Sequence, residues 1–235
     1  MTNEHELLPL SGRTPCEGRC EFMKTDLLIA MLSTDVAPVE RHAVARRIGL
    51  AWFAGAGGAL LLVLSLYGPR PDLHDMLATP LFWFKLAFPA CIALGAAAGI
   101  VRIARPGAPV GHVWIGVALP VAMVWIAGAL VWSLAPPALR NALLFGHTWR
   151  SCPFSIPFLS IPGCVALLHA LRGLAPTRLR MAGALAGLLA GATATLAYCV
   201  HCPEMGVPFW AVWYVLGIAA PTTLGALAGP AWLRW

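Results

Sequence analysis

Cys152 and Cys202 are the residues of this chain whose types and settings point most directly to chemistry. Each stands in a short polar break between long apolar runs: Trp149-Arg150-Ser151-Cys152-Pro153 and Tyr198-Cys199-Val200-His201-Cys202-Pro203. A thiol reacts with oxidants and binds soft metal ions through its thiolate form. The alternation of the runs puts both breaks on the same side of a membrane. Two thiols facing one another there can register oxidant or metal.

Three functional readings of that cluster stay open on the residues alone, beside a static stapling disulfide. The first is a reversible Cys152–Cys202 disulfide, which requires alpha carbons within about 7 Å. The second is a soft-metal site built from Cys152, Cys202 and His201, with Cys199 or His147 as further donors, because thiolate and imidazole suit zinc-like or softer ions. The third is thiol–disulfide enzymology at Cys199-Val200-His201-Cys202, whose spacing is that of a Cys-x-x-Cys pair but which lacks a thioredoxin-like strand–helix setting. Arg150 beside Cys152 is expected to favour a reactive thiol. Lys85, one turn into an apolar run, is expected to snorkel to the outer face, near Arg150 and the thiols, or to pair with Glu204 or Asp72. Cys91 and Cys164 read as small packing residues inside spans. Cys16 and Cys20, as Cys-x3-Cys without further ligands, give a weak metal signal. No other catalytic constellation is visible: after Asp75 the only acidic residue is Glu204.

The elements that must position these groups are membrane helices. Of 235 residues, 59% are hydrophobic and 11% charged, against about 25% charged in a soluble domain. Mean hydropathy is +0.76. Six apolar runs approach the roughly 20 residues that cross a bilayer. They lie near 48–67, 81–101, 111–134, 154–171, 181–200 and 207–229. The fourth, interrupted by Pro157 and Pro162, is expected to kink. The runs are continuous, which excludes an outer-membrane barrel. The fold class is therefore all-α, a bundle of six transmembrane helices with a short cytoplasmic N-terminal helix.

Charge sets the orientation. Twelve Lys and Arg fall on the side of the N-terminal segment, and three (Arg70, Arg140 and Arg150) on the other. The positive-inside rule then makes both termini cytoplasmic and places the thiols in an oxidising compartment, if the membrane is a bacterial inner membrane. The net charge of +6 is explained by this bias and implies no direct nucleic-acid contact. Gly183, Gly187 and Gly191 form a small-residue stripe for close helix packing, echoed by Gly95 with Gly99 and by Gly225 with Gly229. No repeat relates the two halves, which weakens a transporter reading.

Ahead of the first span, residues 1–22 are polar and lack a signal-peptide core. They are expected to be a disordered extension, with Met23 an alternative start. Residues 23–47 form a cytoplasmic segment. There Thr25 is expected to cap a helix that opens with Asp26, continues through Leu27, Leu28, Ile29, Met31 and Leu32, and ends at Pro38. Such a helix either lies on the membrane or bundle, or docks in the groove of a cytoplasmic protein.

Five stretches, taken in order, carry a resemblance: Met23-Lys24-Thr25-Asp26-Leu27-Leu28-Ile29, Pro80-Leu81-Phe82-Trp83-Phe84-Lys85-Leu86, Trp149-Arg150-Ser151-Cys152, Ala175-Pro176-Thr177 and His201-Cys202-Pro203-Glu204, with Trp213-Tyr214 following. In these the chain resembles the NrsF-like family of six-span inner-membrane anti-sigma factors, from about Met23 to Trp235. The resemblance implies a non-enzymatic negative regulator that holds an extracytoplasmic-function (ECF) sigma factor at the membrane until a stress signal arrives. It implies that Cys152 and Cys202 sense heavy metal or oxidant, with no resident cofactor beyond a transient metal ion. It implies that the segment from Lys24 contacts the sigma factor. Residues 1–22 and Cys199 depart from the family pattern. A membrane thiol–disulfide oxidoreductase using Cys199 and Cys202 is the alternative.

Overall fold

The computed structural model describes residues 25–34, 42–104, 111, 113–174 and 176–234. The chain divides into two units, Met1–Glu40 and Arg41–Trp235. Cys16, Cys20, Lys24 and Pro38 lie outside the described residues.

The described part of the first unit is helix α1 (Thr25–Ser33). Thr25 is its first residue rather than the residue preceding it. The helix stops at Ser33, short of Pro38. There the Ser33 hydroxyl donates to the Ala30 carbonyl at 3.1 Å and the Thr34 hydroxyl to that of Met31 at 2.7 Å. Such hydroxyls compete for the carbonyls that a continuing helix would use. Leu27, Leu28, Ile29, Met31 and Leu32 are all exposed.

Among the described residues the second unit holds eight helices: α2 (Ala43–Leu66), α3 (Leu73–Leu77), α4 (Pro80–Ile103), α5 (Val113–Leu134), α6 (Pro137–Phe145), α7 (Cys152–Arg172), α8 (Leu179–Cys199) and α9 (Val207–Trp232). No strand occurs among the described residues. Six of them, α2, α4, α5, α7, α8 and α9, are long and apolar enough to cross a membrane. Each coincides with an expected run. The ends differ where a helix outlasts its apolar core: α2 begins at Ala43 and carries Arg46 and Arg47 in its opening turns. The fourth run stays helical through both Pro157 and Pro162.

Helix α8 is the axis of the bundle. It is the most buried of the six and packs on α9, α7, α4 and α2. Its glycines permit this. A Cβ at Gly187 would run into the Pro221 carbonyl of α9, and one at Gly183 into the Gly225 carbonyl. On the other flank, α2 and α7 touch where a Cβ at Gly55 would lie 2.6 Å from the Gly163 Cα. Water-free helix association depends on this kind of close backbone approach. Indole hydrogen bonds add cross-links: Trp52 Nε1 donates to Thr193 Oγ1 at 2.8 Å, and Trp125 Nε1 to the Ala211 carbonyl at 2.8 Å.

Because the six helices alternate in direction, segments 67–79, 135–151 and 200–206 meet at one end. The Arg70 amide donates to the Val200 carbonyl at 3.2 Å. The His147 amide donates to Glu204 Oε1 at 2.6 Å. Cys152 and Cys202 lie in this meeting place.

Candidate functional site: a buried thiol cluster at one end of the bundle

Cys152 opens α7 rather than lying in a loop, since Pro153 suits the first helical turn. Its amide donates to the Thr148 carbonyl at 3.0 Å. Cys202 follows the end of α8, its amide donating to the Tyr198 carbonyl at 2.9 Å. The Cys202 Sγ lies 3.9 Å from Thr148 Oγ1. Thr148 thus meets Cys152 through its backbone carbonyl and Cys202 through its hydroxyl. Both are fully buried, at 0% exposure. Neither side chain is open to solvent in this structure. The five described cysteines are all free thiols.

Cys199, the last residue of α8, is also fully buried. Its thiol points to Tyr214 Oη at 4.0 Å, whereas that of Cys202 points to Thr148. His201 turns toward the first loop, with Nδ1 3.0 Å from the Gly68 carbonyl. Its ring sits between Tyr67 and Tyr198, at centroid distances of 5.1 and 5.8 Å. No group of three or more His, Cys, Asp or Glu side chains that could hold a metal ion forms among the described residues. The three-ligand set of Cys152, Cys202 and His201 is not brought together. Cys152 and Cys202 remain as thiol donors of the kind that suits soft ions.

The expectation that Lys85 snorkels is likewise corrected. Lys85 is fully buried. Its Nζ donates to the Cys202 carbonyl at 2.7 Å and to the Glu204 carbonyl at 2.9 Å, and lies 5.8 Å from the Tyr214 ring centroid. Neither expected carboxylate takes it. Asp72 binds Arg70 through two bonds of 2.6 Å. Glu204 turns its carboxylate to the His147 amide. Arg150 is exposed, its guanidinium 5.1 Å from the Trp149 ring centroid, so the cation inside the cluster is Lys85.

Several members of the site escaped sequence reasoning. Arg70, buried at 7% exposure, reaches the Cys202 carbonyl at 3.4 Å from the first loop. The Arg70 guanidinium holds the Asp72 carboxyl below its usual range, and Asp72 raises Arg70 further. Gly146, at φ +52°, lies against the Glu204 carboxylate, where a Cβ would come within 2.5 Å of Oε2. Trp210 Nε1 donates to the Glu204 carbonyl at 3.1 Å and Trp213 Nε1 to that of Leu144 at 2.8 Å. These indoles belong to a π-helical stretch, Trp210–Tyr214, of the kind often found at functional sites. The one signal available in the sequence was the polar, aromatic character of 198–214 at the edge of an apolar run.

Of the expected partner-binding residues, Thr25, Leu27, Leu28, Met31 and Leu32 are exposed on α1, and Asp26 is part of its first turn.

Comparison with known proteins gives a consistent picture. The family model described as "Negative regulator of sigma F", NrsF, matches residues 32–235. A protein of Azospira oryzae named "Probable anti-sigma-F factor NrsF" is 46% identical over 213 residues, covering 91% of this chain and 100% of that protein. The "Anti-sigma-F factor NrsF" of Caulobacter vibrioides is 37% identical over 215 residues, again 91% and 100%. No solved structure matches the chain.

Proposed function

The chain belongs to the NrsF family, and on that premise we propose that it is a membrane-anchored anti-sigma factor. It retains an ECF sigma factor at the inner membrane of a bacterium and releases it when Cys152 and Cys202 meet a heavy metal or an oxidant. The thiol end faces the periplasm and both termini are cytoplasmic, in keeping with the bias of Lys and Arg toward the other end. The exposed apolar residues of α1 supply the docking helix.

The observation that carries the sensing role is the shared contact of both cysteines with Thr148. It joins the start of α7 to the turn between α8 and α9. A soft divalent ion replaces the two thiol protons, forming two metal–sulfur bonds and releasing two protons. A two-electron oxidant removes the same two protons with two electrons, forming one sulfur–sulfur bond. Either event fixes α7 to the α8–α9 turn. Inverting a 1:99 equilibrium between holding and releasing states needs about 5.5 kcal/mol of differential binding, within the range of a metal–thiolate site.

The test is a Cys152→Ser, Cys202→Ser double variant in cells carrying a reporter for the sigma factor. The expected result is repression as in the wild type, with loss of induction by cadmium or diamide. Unchanged induction would sink the sensing role. Failure of the full chain to co-purify with any ECF sigma factor would sink the anti-sigma role.

A further inference from the structure

A lysine with 0% of its surface exposed is almost always paired with an opposite charge. Lys85 is not: its nitrogen is bonded to two neutral carbonyls. Both belong to the short stretch Cys202-Pro203-Glu204, which lies between helices α8 and α9. Proline contributes no donor there, and buried carbonyls need partners. Besides Lys85, the donors reaching these two carbonyls are Arg70 at 3.4 Å on Cys202 and Trp210 at 3.1 Å on Glu204. Lys85 makes the shortest bond to each. It does so from α4, an element that carries neither cysteine of the pair.

We infer that Lys85 is the positioning residue of the thiol pair: from α4 it clamps the Cys202–Glu204 stretch and so holds the Cys202 thiol at the first turn of α7, beside Cys152. The inference rests on the proposed role of that pair, and concerns which group makes it a pair. Without the clamp, the Cys202 carbonyl keeps only the longer bond to Arg70, on the first loop, and the stretch loses these bonds to α4. The thiols would remain, but at a lower effective concentration of one at the other, and that quantity governs how readily two thiols close into a disulfide.

The test is a glutathione titration of the purified full chain in detergent micelles. In the reaction, the Cys152 and Cys202 thiols give up two protons and two electrons. One glutathione disulfide accepts them and becomes two glutathione thiols, so one sulfur–sulfur bond forms as another breaks. The Cys152–Cys202 cross-linked peptide is quantified by mass spectrometry across the redox range. The expected result for Lys85→Met is an equilibrium constant lower by about tenfold or more, a shift of roughly 30 mV per tenfold for this two-electron couple. Lys85→Gln, which keeps a shorter amide donor, is carried through the same titration as a milder replacement and should fall between the two. A folded variant of either kind with a wild-type constant overturns the inference, while leaving the sensor reading to its own reporter test. A wild-type chain that forms no such cross-link overturns the inference together with oxidant sensing, and leaves metal sensing to be judged by the reporter.

Discussion

Asp72 accepts two nitrogens of the Arg70 guanidinium at 2.6 Å each, and that pairing makes the site's fastening sensitive to acid. The carboxyl of Asp72 titrates below its usual range because Arg70 favours the charged form. A depressed folded value stabilises the fold fully above the unfolded value of about 3.9, and the contribution is lost as pH falls through the folded value. Thermal stability of the wild type in detergent should therefore decline as pH falls below about 4 more steeply than that of Asp72→Asn, with the curves converging at the acid end. Parallel curves would show that the pair contributes nothing. The same pair shows why the site was only half legible in the sequence. Cys152 and Cys202 stood out because thiols in polar breaks are rare in an apolar chain. The fate of Lys85 did not, because snorkelling and burial are equally compatible with a lysine one turn into a span. What decides is a pair of carbonyls 117 and 119 residues further along. Nor does sequence tell that Asp72 is taken by a neighbour two residues away.

At the scale of elements, α8 and α9 are held together by the absence of side chains. Replacing Gly187 with Val forces a Cβ into the Pro221 carbonyl, which is backbone and cannot swing aside. Overpacking of this kind costs about 1–3 kcal/mol, more when no side chain can yield. Gly57 of α2 has nothing within 4 Å of a Cβ, and Ala in a helix interior is better than Gly by about 0.5–1 kcal/mol. Gly187→Val should lower the melting temperature or abolish monodisperse purification, whereas Gly57→Ala should leave it unchanged or raise it. Comparable destabilisation by both would show that the glycines are not discriminated by packing. The six long helices were legible because hydropathy reports the bilayer's thickness directly. Their ends were not, since hydropathy marks the hydrocarbon core rather than the helix: α2 continues outward through Arg46 and Arg47. The short helices α3 and α6 were missed because neither is apolar enough to register. Pro137 at the head of α6 was the available start signal.

For the whole molecule, the proposed function assigns signal and response to different parts of the chain. The thiols sit where three connecting segments meet, and the docking residues proposed for the sigma factor lie on α1, in the other unit. The two functions should therefore be separable by substitution. Met31 and Leu32 are 62% and 70% exposed on a helix of nine residues. If they are anchors in a partner's groove, Met31→Asp or Leu32→Asp removes a buried apolar contact and places a charge in its stead. Truncation of such an anchor typically weakens binding by about 2 kcal/mol or more. The expected outcome is loss of sigma-factor co-purification and constitutive reporter activity, with the Cys152–Cys202 titration unmoved. The reverse pattern is expected of Lys85→Met, which should shift the thiol titration while the sigma factor still co-purifies. Two variants with opposite and non-overlapping defects would establish that one chain joins a periplasmic chemical input to a cytoplasmic grip. A defect shared by both variants would instead mean that α1 and the thiol cluster are parts of a single stability unit, and the separation proposed here would fail.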